Sequence, residues 1–440
     1  MRTPLTHLKL NIRRLMAQRA FWFAAIAVGL ASVLFAQMVT GAEHEFVRWR
    51  YDSPWLPFLV TPLGGMLCLW MTRRWFGGAE GGGIPQVMVE LNRNEGDTWK
   101  PLVSLRIAIG KIMMCALAIG SGFSLGREAP AVQIGASIMA SVRQRIGHAR
   151  MIKERHLLVA GGAAGIAAAF NTPLAGVLFA IEELNRNVES RMSGLIITAI
   201  ILAGFVARAM TGNESYFGQV LVSGSSSTVV LLVLASAFTA GVLGGLFTRL
   251  ILSATIGPRA WLSPLRTRHP YRVVAVCGLI IALCGWITDG TAHGTGFDEI
   301  ISMLEHEQDM PWYFAPAKLV ATLASALSAL PGGVFAPALA IGAGIGNDIY
   351  LLLGESAPQG MLIAFCMCGF LAAVTQAPIT SFVIVMEMVD GYSIVIGLMF
   401  TALMASGIAA AISPPLFTTQ AKDILRRLRG YHASALRPEK

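Results

Sequence analysis

From Phe21 to Val39 the chain runs nineteen residues without a charged side chain. A helix of that length rises ~28 Å, about the thickness of a bilayer's hydrocarbon core. Val229 to Phe247, Val273 to Thr288 and Ile394 to Ile412 are similar runs. Only 13% of the residues are charged and 55% are hydrophobic, where soluble domains carry about 25% charged residues. These runs specify an all-α integral membrane protein, and lipid is the solvent that accounts for the missing charge.

The net charge of +9 suggests a nucleic-acid ligand until the basic residues are placed. They gather at the termini (Arg2, Lys9, Arg13, Arg14 and Arg19; Lys422, Arg426, Arg427 and Arg429) and in the short segment from Arg143 to Arg155. That is the positive-inside pattern, which predicts a multi-pass protein of the inner or plasma membrane with both ends cytoplasmic. Val273 to Ala317 holds no Lys or Arg but carries Asp289, Asp298, Glu299, Glu305, Glu307 and Asp309, so it reads as an outside loop. The first apolar run is too long for a signal peptide and lacks a small-residue cleavage site, so it reads as a retained anchor. Cys68, Cys115, Cys277, Cys284, Cys366 and Cys368 all lie in apolar segments and read as small core hydrophobes. Neither they nor the eight histidines show metal-ligand spacing, and no cofactor is expected.

An internal repeat organises the chain. Ala129 to Ile138 and Ala336 to Ile345 share seven of ten residues at an offset of 207. Pro173 and Glu182 are echoed by Pro378 and Glu387 with the same internal gap. Repeats of this kind mark transporter folds. The expected organisation is a basic segment over 1–19, a membrane domain over 20–415 with halves at about 20–215 and 225–415, and a C-terminal helix and tail over 416–440. Those last 25 residues leave no room for a soluble regulatory domain. Several helices are expected to be too short to span, among them Ala129–Ala140, Leu157–Ala169 and Pro173–Leu184, the last two broken at Asn171-Thr172-Pro173. Broken helices leave polar ends that are tolerated only beside a cavity or an ion.

Three segments share one design of small residues, then proline, then a helical run. They are Gly81-Gly82-Gly83-Ile84-Pro85, Gly126-Arg127-Glu128-Ala129-Pro130 and Gly332-Gly333-Val334-Phe335-Ala336-Pro337. Proline suits the first helical turn, and small residues let the backbone approach a ligand. The free N–H groups and the positive helix end then form an anion site without a full charge. A full charge at that depth would hold an anion too tightly for release. Positive ends from both repeats can meet at the membrane midplane only if the halves are inverted.

These segments resemble the three selectivity-filter motifs of the CLC chloride channel and transporter family, usually GSGIP, GREGP or GKEGP, and GxFxP, in the family's order. The resemblance runs from about Ile26 to the last helix. It implies two inverted-topology halves of about eighteen helices, many of them short, broken and tilted. It also implies a homodimer with one pore per subunit and chloride and protons as the transported ions. The anion would be held by Gly82, Gly83, Arg127, Ala129, Val334, Phe335, Ala336 and Phe417.

Glu128 sits inside one of the helix starts, where its carboxylate competes with an anion for the same N–H groups. Ionised, it would fill the anion position; protonated, it would swing away. An intramembrane carboxylate is functional by default, and the position matches the family's gating glutamate. Glu182 and Glu183 are neighbours and lie about 100° apart on a helix, so one can pair locally while the other points inward. The resemblance makes Glu183 the internal proton glutamate of exchangers. A hydrolytic reading of the pair lacks a positioned His or nucleophile. Arg127 and Lys111 are expected either as ordinary ion-pair partners or as a field that favours anions at the outer mouth.

The chain departs from the family pattern at three places. Gly82 stands where a serine usually donates its hydroxyl, Phe417 stands at the inner-gate tyrosine, and Ala129 replaces a glycine. With both hydroxyls gone, the central site would depend on the backbone N–H groups of Val334 and Phe335. The expected function is proton-coupled chloride antiport, with a passive or weakly coupled anion channel, carrying chloride, nitrate or fluoride, as the alternative.

Overall fold

The computed structural model describes residues 4–94, 97–146, 153–184, 193–212, 215–221, 226–257, 260–306, 308–354 and 358–435. Among them are eighteen α-helices. The first half contains α1 (Pro4–Asp52), α2 (Pro57–Trp75), α3 (Ile84–Leu91), α4 (Leu105–Ile119), α5 (Glu128–Ile146), α6 (Glu154–Phe170), α7 (Pro173–Phe179) and α8 (Ser193–Thr211). The second contains α9 (Ser226–Thr255), α10 (Leu262–Arg268), α11 (Pro270–Ile287), α12 (Phe297–Glu305), α13 (Phe314–Ser328), α14 (Phe335–Leu353), α15 (Gln359–Thr375), α16 (Pro378–Met388) and α17 (Val395–Ile412). The chain closes with α18 (Leu416–Ala435). Among the described residues, six helices are long and apolar enough to cross a membrane.

Local chemistry explains the breaks. α6 stops where Asn171 turns left-handed at φ 56°, and α15 stops where Gln376 does so at φ 55°. Pro173 and Pro378 then open α7 and α16 in the first helical turn, where a missing N–H costs nothing. α7 passes into a π turn over Ala180–Leu184, a rare geometry that recurs at functional sites. Elsewhere the structure differs from the sequence expectations. α1 runs unbroken from Pro4, so no structural break separates residues 19 and 20. The acidic stretch is not a loop, because it contains most of α11, all of α12 and the start of α13; Glu307 lies outside the described residues. α5 has nineteen residues rather than stopping near Ala140. Part of the basic segment from Arg143 to Arg155 also lies outside the described residues.

The two halves are related by a local two-fold. Gly126 and Gly333, equivalent residues of the repeat, form an antiparallel bridge. Gly126 N donates to Gly333 O at 2.7 Å and Gly333 N to Gly126 O at 2.8 Å. Such mutual bonding between equivalent residues requires a two-fold axis between them. α5 and α14 start on either side of this bridge, and each has nineteen residues. α5 leads toward the basic segment and α14 toward the acidic side, where Gln359 bonds Asp309 at 3.0 Å. This is the inverted arrangement.

Two carboxylates repeat the exchange. Glu182 accepts from the amides of Ile379 at 3.1 Å and Thr380 at 2.7 Å, and from the Thr380 hydroxyl at 2.7 Å, at the start of α16. Glu387 accepts from Leu174 at 3.4 Å and Ala175 at 2.9 Å at the start of α7. Each half thus caps a helix of the other, satisfying amides that have no intrahelical partner.

The interior is built from small residues. His156 to Phe170 of α6 are all buried, as are Met361 to Thr375 of α15. α5 and α6 touch backbone to backbone, so that a Cβ on either Gly135 or Gly161 would collide with the other's carbonyl oxygen. In lipid, close packing of small residues replaces the hydrophobic drive as the source of helix association.

Removing a cap carboxylate leaves helix amides orphaned inside the membrane domain. Hydrogen bonds to a charged group are worth ~1.5–3 kcal/mol. Glu182→Ala and Glu387→Ala should each lower the thermal unfolding midpoint in detergent, with Glu182→Ala the larger because it loses the Thr380 hydroxyl as well. Equal midpoints in both variants and the native chain would refute the capping role.

Candidate functional site

The three glycine-proline starts are joined by backbone. Besides the Gly126–Gly333 bridge, Gly332 N donates to Gly81 O at 3.1 Å, and Gly81 N donates to Ala329 O at 3.2 Å. The Gly332-Gly333 dipeptide therefore ties the starts of α3 and α5 to that of α14. The N–H groups in the first turns of these helices have no intrahelical acceptor.

The glycines of the first loop differ in their need for glycine. Gly81 and Gly83 have φ of 65° and 107°, a region that disfavours side chains. A Cβ on Gly83 would also lie 2.9 Å from Gln133 Cβ. Gly82 is unconstrained, since a Cβ there meets nothing closer than 3.8 Å, from Ala129 Cβ and Gly332 O. A serine would fit, and its absence is not a packing requirement.

Glu128 is fully buried at the start of α5. Its Oε1 lies 3.9 Å from Arg127 Nε. Its Oε2 borders Gly126, where a Cβ would sit 2.5 Å from that oxygen and 3.1 Å from the Ala336 amide nitrogen. The carboxylate thus lies between the starts of α5 and α14. The side chain of Arg127 turns away from the glycine loops. Its Nη1 donates to Ala36 O at 2.9 Å and the Thr40 hydroxyl at 2.7 Å, and its Nη2 bonds the Tyr216 hydroxyl at 3.1 Å. Its guanidinium also lies 5.4 Å from the Phe297 ring centroid. Only Nε remains toward Glu128, so Arg127 braces α5 against α1.

Gly82, Gly333, Val334 and Phe417 line one cavity of about 310 Å³, together with Gln86, Gln420 and the charged Glu80, Arg266, Asp423 and Arg427. Its inner end is aromatic. The Phe417 ring stacks on Phe335 at 5.7 Å between centroids and 12° between planes, and Phe170 meets Phe335 edge-on at 6.0 Å. Ala129 sits behind this lining, with its methyl 2.7 Å from where a Cβ on Gly333 would be.

Glu183 does not line this cavity. With Glu182 committed to α16, Glu183 is the member of the pair that has a buried carboxylate oxygen, Oε1. Its neighbour Leu184 and Val132, one turn after Glu128, both pack on Gly162 of α6: a Cβ there would lie 2.9 and 3.1 Å from them. The segments that carry the two glutamates thus meet at Gly162 of α6.

Lys111 is not at an outer mouth. It is fully buried, and its Nζ donates to Ala79 O at 2.8 Å and Gly81 O at 2.7 Å. It thereby turns carbonyls of the first glycine loop away from the cavity. Lys318, 207 residues later, does the same for Gly294 O at 3.1 Å and His293 O. The loop that it supports, Gly294-Thr295-Gly296, echoes the first glycine loop. There the Thr295 amide, at 2.6 Å, and its hydroxyl donate to Glu43. Lys318, Thr295 and Glu43 escaped the sequence reading, although extending the repeat beyond the Ala129 and Ala336 segments would have found the lysine.

A family model described as voltage gated chloride channel matches residues 64–410. The chain belongs to the voltage gated chloride channel family. It is 31% identical over 414 residues to the H⁺/Cl⁻ exchange transporter ClcA of Cronobacter sakazakii, covering 90% of this chain and 86% of that one. It is 29% identical over 442 residues to the protein of the same name from Salmonella agona, covering 93% and 90%. Among solved structures, a slow cyanobacterial Cl⁻/H⁺ antiporter superposes with a TM-score of 0.79 at 23% identity, covering 93% of this chain and 98% of that one. A CLC-type fluoride/proton antiporter gives 0.72 at 20% identity, covering 96% and 99%. Within this family frame, the three glycine loops, Glu128 and the Phe417–Phe335 stack form one continuous group, with Glu183 apart from it.

Gly82→Ser should fold with an unchanged thermal midpoint. Gly83→Ala should lose ~1–3 kcal/mol, because it forces a side chain into a strained backbone region and against Gln133. Equal tolerance of both changes in a detergent melting series would contradict this reading of the loop.

Proposed function

We propose that this protein exchanges chloride for protons across the membrane, as a transporter rather than a catalyst. The observation that carries the reading is the position of Glu128, a buried carboxylate wedged between the starts of α5 and α14. An anion and the ionised carboxylate compete for the same first-turn amides. Ionised Glu128 fills the outer anion position. When it takes a proton its charge is lost, it leaves the helix ends, and chloride replaces it. One group thus carries a proton and excludes an anion, which couples the two ions. Glu183 serves as the inner proton station. Chloride enters from the cavity lined by Gly82, Val334 and Phe417, where amides of Val334, Phe335 and Ala336 hold it. Arg127 and Ala129 shape the outer site without donating directly to the central one. The exchanged ions named for the ClcA relatives agree with this reading.

The protein is proposed to act as a homodimer in the inner or plasma membrane, with both termini cytoplasmic. Glu182 and Glu387 are only half-buried, among the exposed side chains of Leu174, Ile181 and Ile379. Carboxylates at a lipid-facing surface are costly, and a second copy would cover them. The mass of the detergent-solubilised particle tests this, and a monomer would overturn it.

In reconstituted vesicles, a chloride gradient alone should drive protons uphill. Glu128→Gln should leave chloride flux nearly independent of pH and abolish proton movement. Glu183→Gln should keep chloride flux and lose proton movement. Undiminished proton pumping in the Glu128 variant would remove it as the gate, and no pumping by the native chain at any pH would favour a channel.

A weakly coupled pathway is the second reading, favoured by the two missing hydroxyls. A hydrogen bond to a charged group is worth ~1.5–3 kcal/mol, so a centre without them binds chloride weakly and lets it slip. Phe417→Tyr and Gly82→Ser should each tighten chloride binding by roughly ten- to a hundred-fold and raise the protons moved per chloride. Calorimetric titration with paired flux assays reads both. Unchanged affinity would mean that the hydroxyls are already replaced.

A further inference from the structure

The face of α10 that points away from the inner cavity forms the wall of a second concavity, of about 460 Å³. Leu265 of α10, Val276 and Ile280 of α11, and Val320 and Leu327 of α13 line it. The lining is nearly all apolar along its length, the environment in which a lipid chain lies. One end differs. His269 and Arg272 border the groove there, and Arg268 is exposed beside them. Trp261, 62% exposed, also lines the groove. Tryptophan and arginine settle where hydrocarbon gives way to headgroups.

From Trp261 to Trp286 the sequence contains no acidic residue, and no salt bridge found among the described residues involves Arg268 or Arg272. An apolar slot ending in unneutralised cations at the headgroup level complements one kind of molecule, a lipid with a negatively charged phosphate. A zwitterionic lipid would fill the slot but leave the charge uncompensated.

We propose that this groove binds an anionic phospholipid, with its phosphate at Arg268, His269 and Arg272 and an acyl chain between α11 and α13. The site also bears on transport. Leu262 and Leu265 of α10 line the groove, while Arg266 of the same short helix lines the inner cavity beneath Gly82 and Phe417. An occupied groove fixes α10, and with it the wall of the ion's entrance. The binding claim is independent of the exchange reading, and only its consequence for flux rests on that reading.

Native mass spectrometry of the purified full chain, titrated with phosphatidylglycerol or phosphatidylcholine, tests the binding. The native protein should retain phosphatidylglycerol preferentially. Arg272→Gln should weaken that retention by roughly five-fold, the effect of one basic residue at an anionic surface, and a further Arg268→Gln by a similar factor. Val276→Trp keeps every charge but fills the slot, and should abolish retention. Equal retention of both lipids by the native chain, or unchanged retention in these variants, overturns the site. Chloride flux is then compared in phosphatidylcholine vesicles with and without phosphatidylglycerol. The general effect of surface charge is shared by all variants, so the ratio between native and variant isolates the groove. Flux should respond to the lipid in the native protein and lose that response in Val276→Trp. A response that survives in Val276→Trp overturns the coupling through α10.

Discussion

Four backbone hydrogen bonds, two between Gly126 and Gly333 and two linking Gly81 to Gly332 and Ala329, hold three helix starts at one place. The positive ends of three helices repel one another unless negative charge lies between them. The chain holds them together by pairing backbone with backbone, which leaves the first-turn amides free. Glycine is what permits the contact, since a Cβ on Gly333 would lie 2.7 Å from Ala129 Cβ and one on Gly332 would lie 2.7 Å from Leu125 Cδ1. The same bonds make inversion of the halves a requirement, because the bridge joins equivalent residues of the repeat.

Glu128 places its buried carboxylate at that convergence, between the starts of α5 and α14. Buried cations near the convergence are engaged by carbonyls and hydroxyls of the surrounding structure. Lys111 spends its ammonium on carbonyls of the first glycine loop, and Lys318 does so in the second half. Both lysines are wholly buried, and each makes several hydrogen bonds, as a buried charge must. Arg127 is likewise taken up by α1 and Tyr216. The second-half loop shows the logic by contrast, since its Thr295 amide already binds Glu43. One repeat keeps its glycine loop open to the cavity, while the other closes its loop with the chain's own carboxylate.

The cavity is bordered by an aromatic pair without hydroxyls. Phe417 stacks on Phe335 and lines the cavity with Val334. Phe417 begins α18, whose distal Arg429 pairs with Asp97 at 3.3 Å, and α10 forms another wall of the same cavity.

By itself the sequence determined the membrane class, the duplication, the three helix starts and the candidate glutamates. Each of these is written in local signals: apolar runs of spanning length, a repeated segment, and glycine followed by proline. The helix break at Asn171 followed from the same kind of local chemistry. Tertiary structure alone decided which groups meet. That Glu182 caps α16 and leaves Glu183 with a buried oxygen depends on a contact across 197 residues and on a π turn that no local pattern announces. That Lys111 supports a glycine loop, and that Arg127 faces α1 instead of the cavity, depends on where distant helices pass. Side chains such as these have several possible partners along the chain, and only packing selects one, because a buried charge takes whichever carbonyl or hydroxyl the fold brings within hydrogen-bonding reach.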